Sequence, residues 1–194
     1  MPGLLASGPM AAHETLIEEL RRHALVIGEV TLTSGATAQY YVDAKRAVLR
    51  PAGFGALSEL VAAYADEWEA TAVGGLTMGA DAPACAALAG GADVKAFFVR
   101  KETKQHGLQR RVEGPPLAQG ERCLIVEDVV TTGGSTVQAI EAVREAGHDV
   151  CGVISILDRL AGGGQAIVRA ADGAPYEPLA TIDDIYPDRP DKAA

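Results

Sequence analysis

Cysteine is scarce, and what there is follows no pattern. The three cysteines, Cys85, Cys123 and Cys151, stand far apart in apolar contexts, with no CxxC pair and no even-numbered set. That argues against a disulfide framework and for buried thiols in a reducing, cytoplasmic setting. Long apolar runs are missing too: no stretch approaches the roughly 18 consecutive residues of a membrane span. The opening MPGLLASGPMAA lacks the positive segment and apolar core of a signal peptide, so neither export nor a membrane partner is expected, and Met1 and Met10 both stand as starts. Without low-complexity tracts or internal repeats, 194 residues fit one domain with a buried core. Positive charge is also short: 17 basic residues against 26 acidic ones leave a net charge of −9. A general affinity for nucleic acid needs a basic face and is not expected. The exception lies between Lys95 and Arg111, where six basic residues meet one acid and the rest of the chain carries −14.

What is present reads as alternating strands and helices. HETLIEELRRHALV from His13 has apolar residues at 16, 17, 20, 24 and 25, the spacing of an amphipathic helix. EVTLTSGATAQYYVDAKRAVL reads as short strands around a turn, a small cap rather than core. From Pro51, PAGFGALSELVAAYADEWEA is a long helix. TAVGG (71–75), VKAFFV (94–99), CLIVED (123–128) and DVCGVISIL (149–157) lack clean alternation, as expected of strands covered on both faces. ADAPACAALAGG and STVQAIEAVREAG are the helices between them. The expected fold is therefore α/β, an open, mainly parallel twisted sheet flanked by helices, with ligands beyond the carboxyl ends of its strands. That rule singles out the loops 75–83, 100–114 and 128–136. The division expected is an extension over 1–12, a helix and cap over 13–50, a core over 51–182, and a poorly ordered tail rich in Asp and Pro over 183–194.

The stretch CLIVEDVVTTGGST, residues 123–136, joins an apolar strand to two carboxylates and then to a Thr, Gly and Ser loop that opens a helix. Backbone N–H groups of such a loop and the helix dipole converge on an anion, and the hydroxyls of Thr131, Thr132, Ser135 and Thr136 add donors beside Gly133 and Gly134. The loop is neither a Walker A motif nor a GxGxxG dinucleotide loop, and it suits one phosphate monoester. Glu127 and Asp128, when ionised, only accept hydrogen bonds, so as a pair they repel a second phosphate but receive two hydroxyls. A ribose with free 2′ and 3′ hydroxyls and a 5′ phosphate meets both demands. The plainer alternative is that both carboxylates cap the helix, although adjacent acids there are costly without a ligand or cation.

From Leu124 to Thr136 the chain resembles, at every position, the phosphoribosyl pyrophosphate (PRPP) signature of the type I phosphoribosyltransferases. The resemblance implies that Glu127 and Asp128 hold the ribose hydroxyls and that Val129, Val130, Thr131, Thr132, Gly133, Gly134, Ser135 and Thr136 surround the 5′ phosphate. FFVRKETKQHGLQRRVEG carries Arg100, Lys101, Lys104 and His106 on a polar loop, with Gly107 and Gly114 as hinges. Departure of pyrophosphate from C1 builds charge that a mobile cationic lid can offset while excluding water. Taken alone, such a charge run is a solvated loop. It is similar to the R-K-x-x-K-x-H-G loop of orotate phosphoribosyltransferases, which implies a homodimer whose loop closes over the partner's site.

TLTSGATAQYYVDAKR is similar to the N-terminal hood of the same family. That implies Ser34, Tyr40 and Tyr41, with Thr132, around orotate, one ring stacking on it; alone, a Tyr pair on a strand is ordinary packing. In ISILDRLAGG, Arg159 follows a strand; a guanidinium takes a carboxylate with two hydrogen bonds, and a carboxylate is what distinguishes orotate from uracil. Without the resemblance, an Arg there is a surface residue. Two departures stand out: Thr33 replaces a lysine common before Ser-Gly, and GGLTMGADAP has no base where many members carry one. Lys45 or Arg46 are the residues placed to compensate.

The resemblance covers roughly residues 15 to 185. It implies transfer of phosphoribose from PRPP to orotate, giving orotidine 5′-monophosphate and pyrophosphate in pyrimidine (UMP) synthesis. Lys104, His106, Arg100, Lys101 and Asp128 are the implied catalytic set. Mg²⁺ is expected to arrive on the pyrophosphate with no direct protein ligand, near Asp128 at most through water, because His13, His23 and His148 lack the neighbours of a metal site. Two other readings compete. A purine-base phosphoribosyltransferase shares the phosphate loop but should lack the hood and Arg159. A non-catalytic, nucleotide-sensing RNA binder on this fold needs a basic face outside the lid, against which the −14 balance argues.

Overall fold

The structure, a computed structural model, describes residues 7–31, 37–102 and 111–192. Helix α1 (Ser7–His23) starts ahead of His13, so part of the expected extension is helix. Its apolar stripe, Leu16, Ile17 and Leu20, is buried as the spacing required. Strands β1 (Leu25–Thr31) and β2 (Thr37–Val42) pair antiparallel into the two-stranded cap. A short α2 (Lys45–Val48), too brief to leave a periodic pattern, leads into α3 (Pro51–Glu67). Pro51 suits the first turn of α3 because its fixed φ is helical and its missing N–H would have had no partner there.

Next come β3 (Ala72–Leu76), α4 (Asp81–Ala89), β4 (Lys95–Val99) and the two-residue β5 (Val112–Glu113). They are followed by β6 (Arg122–Val130), α5 (Gly134–Glu145) and β7 (Asp149–Asp158). The described chain closes with α6 (Gly163–Ala171), β8 (Tyr176–Pro178) and α7 (Ile182–Ile185). The six-stranded sheet has the order β5-β4-β3-β6-β7-β8, and all its pairings are parallel except β4 with β5. In β6, Leu124 and Val126 join a core with α1, α3 and α4, while Cys123 and Ile125 join a second core with α5 and α6. Alternating side chains that all find an apolar layer explain why the strand reads as one unbroken apolar run.

Strand order reverses between β3 and β6. The chain leaves β3 through α4 toward one edge of the sheet and leaves β6 through α5 toward the other. A crevice therefore opens above the carboxyl ends of these two strands, where open α/β sheets bind ligands. Its walls are the loop after β3 and the residues after Glu127, two of the three loops singled out from sequence.

Two expectations are corrected. Cys123 is buried and Cys151 half-buried, but Cys85 on α4 is exposed, because α4 turns that position away from the core. The tail, expected to be poorly ordered, instead begins as α7, closed at its N-terminus by reciprocal Thr181 and Asp184 bonds. Arg189 pairs with Asp183 and Asp191, and the Tyr40 hydroxyl on the cap donates to Asp191 at 2.9 Å. Tyr186 meets the Tyr40 ring edge-on at 5.4 Å. Asp and Pro make the segment look like solvent-exposed chain, but its acids have partners on the cap and within the segment itself. Tyr40→Phe, which deletes one hydrogen bond to a carboxylate, is expected to cost about 1 kcal/mol. Thermal unfolding should then show a Tm lower by roughly 2–4 °C.

Candidate active site

Glu127 and Asp128 occupy the end of β6 and are 5% and 9% exposed. Neighbouring strand residues point to opposite faces, and the two carboxylates find different partners. Asp128 Oδ2 accepts from Lys45 Nζ at 2.6 Å, and its Oδ1 accepts from the Val129 N–H at 2.8 Å. Glu127 accepts from the Asp128 N–H at 3.1 Å and from the Thr136 hydroxyl at 3.4 Å. Both acids nevertheless reach the loop after β3: a Cβ on Gly79 would lie 2.4 Å from Asp128 Oδ1 and 2.6 Å from Glu127 Oε1. A side chain there would have to push both carboxylates aside. The loop thus presses its bare backbone onto the acid pair and brings no base with it; Thr77 is spent on Asp81 at 2.9 Å.

The two acids are not equivalent. Burial, then the hydrogen bond and charge of neighbouring Asp128, push the Glu127 carboxyl up to about 8. For Lys45, burial acts to lower the pKa, but the hydrogen bond and charge of Asp128, and then of Asp43, outweigh it and raise the value, keeping the ammonium charged. The pair therefore carries less net charge than two free carboxylates. Between the ordinary 4.5 and about 8, native Glu127 keeps a proton that the unfolded chain has lost, so stability falls as pH rises through that window. The Tm of the parent is expected to drop between pH 6 and pH 9 more steeply than that of Glu127→Gln. Parallel curves would mean that Glu127 is already ionised.

Past the acids, Thr131, Thr132 and Gly133 turn the chain into α5. Residues 129–136 and Glu127 line a cavity of about 150 Å³, large enough for a phosphate group. Gly133 has φ +79°, and a Cβ there would meet the Gly163 carbonyl oxygen at 2.7 Å, so handedness and space both demand glycine. Val129 and Val130 belong to β6 rather than to the loop, and Val130 packs its side chain in the core. Thr136 is buried with its hydroxyl turned to Glu127, which leaves Thr131, Thr132 and Ser135 as the less committed hydroxyls.

Arg159 follows β7 and is tied to β6 by its N–H to the Val130 carbonyl at 2.9 Å. Its guanidinium lies 5.0 Å from the centroid of the Tyr40 ring, and its buried Nε has no hydrogen-bond partner. An unpaired buried guanidinium nitrogen is expensive unless a ligand completes it. Tyr40 and Arg159, singled out separately from sequence, are thus in contact, whereas Tyr41 on the other face of β2 is 40% exposed. Just before Arg159, buried Asp158 accepts from the Tyr176 hydroxyl at 2.8 Å and the Leu160 N–H at 2.7 Å, fixing the turn that aims Arg159. Sequence reasoning misses this bracing, since nothing near Asp158 signals Tyr176.

Arg100 and Lys101 stand exposed at the end of β4. Arg100 exchanges bonds with Arg111: its N–H donates to the Arg111 carbonyl at 2.9 Å, and Arg111 Nε donates back at 3.2 Å. Lys104, His106 and Ser34 lie outside the described residues. Among the described residues there is no group of three or more His, Cys, Asp or Glu arranged to hold a metal ion, and no helix long and apolar enough to cross a membrane.

A family model described as "Phosphoribosyl transferase domain" matches residues 50–167. A Corynebacterium glutamicum protein named orotate phosphoribosyltransferase is 46% identical over 175 residues, 90% of this chain and 94% of the relative. The chain belongs to the orotate phosphoribosyltransferase family. An orotate phosphoribosyltransferase structure from Mycobacterium tuberculosis H37Rv matches with a TM-score of 0.80 at 40% identity, covering 90% of this chain and 99% of the other. Another structure of that orotate phosphoribosyltransferase, in complex with 5-phospho-alpha-D-ribosyl 1-diphosphate, matches at 0.75 and 35% identity, covering 90% and 98%.

Proposed function

We propose that this chain transfers phosphoribose from PRPP to N1 of orotate, releasing pyrophosphate and forming orotidine 5′-monophosphate for pyrimidine synthesis. The observation that carries the reading is the placement of three ligand-sized features around one crevice. A phosphate-sized, Thr- and Gly-lined cavity, an acid pair, and an arginine with an unpaired buried Nε follow one another from β6 to β7. Membership of the orotate phosphoribosyltransferase family and the PRPP complex of a relative support it. The 5′ phosphate would sit on residues 131–135, the ribose hydroxyls on Glu127 and Asp128, and the orotate carboxylate on Arg159, with the Tyr40 side of the cap and Thr132 beside the pyrimidine.

In this arrangement C1 loses pyrophosphate through an oxocarbenium-like state, and the protein acts by positioning and by offsetting charge on the leaving group. Arg100, Lys101, Lys104 and His106 are the cations for that charge. The exposed end at Arg100 fits a loop that would reach across a homodimer to the partner's site. Mg²⁺, bound to pyrophosphate, would screen its charge. The protein side suits such a carried ion: both oxygens of Asp128 already have a protein partner, so the ion would be held chiefly by pyrophosphate and water.

The test is orotate consumption followed by ultraviolet absorbance, with and without PRPP and Mg²⁺. Turnover that requires both substrates and fails with purine bases is expected. Turnover of a purine base in place of orotate would overturn the assignment.

A further inference from the structure

Asp128 enters any encounter with ribose already engaged. Its Oδ1 has the Val129 N–H and its Oδ2 has Lys45, so a hydroxyl docking there must share or displace the ammonium. Lys45 reaches this carboxylate from α2 with 38% of its side chain exposed, against 13% for Asp128. Its second partner is Asp43 Oδ1, at 3.1 Å, which also accepts the Lys45 backbone N–H at 3.2 Å. Asp43 therefore holds the base of the side chain while the ammonium exchanges one anion for another. On the other side of the acid pair, the loop after β3 offers Gly79, exposed Met78 and Asp81, and no cation. A charge withdrawn from its partner in a half-dry site needs a replacement. The substrate that displaces Lys45 brings one on the neighbouring ribose carbon.

We propose that Lys45 is an exchange cation: it neutralises Asp128 in the free enzyme and pairs with the C1 pyrophosphate once ribose hydroxyls occupy Asp128. The assignment rests on the PRPP reading of the acid pair. It makes Lys45 a substrate-contacting group in the complex and gives the enzyme a cation on the side where its β3 loop has none. The exchange also leaves Asp128 hydrogen-bonded in both states, by the ammonium in one and by ribose hydroxyls in the other.

The probe is magnesium PRPP, titrated calorimetrically in the absence of orotate, alongside steady-state kinetics. Lys45→Met is expected to weaken PRPP binding and raise the PRPP KM by about ten- to a hundred-fold, the value of one charged hydrogen bond. The orotate KM should stay within about two-fold, and Lys45→Arg should restore most of the loss. Unchanged PRPP affinity in Lys45→Met overturns the proposal, as does a lower PRPP KM, which would make Lys45 a mere competitor for Asp128. Asp128→Asn separates the two readings. If it raises the PRPP KM while Lys45→Met does not, the exchange fails alone; if neither variant moves it, the PRPP reading of the acid pair fails with it. Where Lys45→Met folds poorly because Asp128 is left unpaired, Lys45→Met/Asp128→Asn leaves no orphan charge. PRPP affinity below that of Asp128→Asn then isolates the contribution of Lys45, and equal affinity overturns it.

Discussion

Lys104→Ala is expected to lower kcat by about a hundred- to a thousand-fold while leaving the orotate KM within about two-fold. The reason is where charge develops. On the proposed reading, ground-state pyrophosphate would be held by several cations and would tolerate the loss of one. As the C1 bond breaks, negative charge accumulates on the departing oxygen, and a cation aimed there gains strength only along the reaction. Such a contact shows in kcat rather than in substrate affinity. The sequence RKETKQH carries these cations, and the fold joins the two ends of that segment: Arg100 and Arg111 are linked backbone to backbone at 2.9 Å at the β4–β5 edge. Steady-state kinetics with both substrates varied decides it, and an unchanged kcat would remove Lys104 from leaving-group stabilisation.

The second large effect concerns which base is used. Arg159→Ala is expected to lower kcat/KM for orotate by about a hundred-fold or more, since charged hydrogen bonds each contribute about 1.5–3 kcal/mol. The PRPP KM should move little, because the phosphate cavity and acid pair are built from β6 and α5. The guanidinium already lies over Tyr40 at 5.0 Å with its Nε unpaired, so its orientation is set before orotate arrives. A lysine in its place would offer a point charge without the planar pair of donors, so Arg159→Lys should recover only part of the loss. An orotate kcat/KM unchanged in Arg159→Ala would place the carboxylate elsewhere.

Much of this was legible because the informative residues are local. The strand, acid pair, phosphate loop and helix of residues 122–145 form one continuous stretch, and covering both faces of a parallel strand leaves an unbroken apolar signature that can be read without knowing its neighbours. The short elements were not legible. β5 and β8 span two and three residues, too few to carry a period, and α6 opens within the glycines 162–164, which read as loop. The docked tail escapes a sequence reading for a related reason: composition says that Asp and Pro prefer water, but not that Tyr40 and Arg189 wait to pair with those acids.

By itself the sequence determined the α/β class and the family to which residues 123–136 point, and it named the candidate residues for ribose phosphate, pyrophosphate and carboxylate. Only the tertiary structure decided how these act on one another. It split two adjacent carboxylates into a raised Glu127 and a lysine-paired Asp128, and it set Arg159 on Tyr40. It also brought Lys45, 83 positions away along the chain, to the acid pair. Type and spacing fix what a side chain can do, whereas its charge state and partners depend on distances across the fold, which no local pattern encodes.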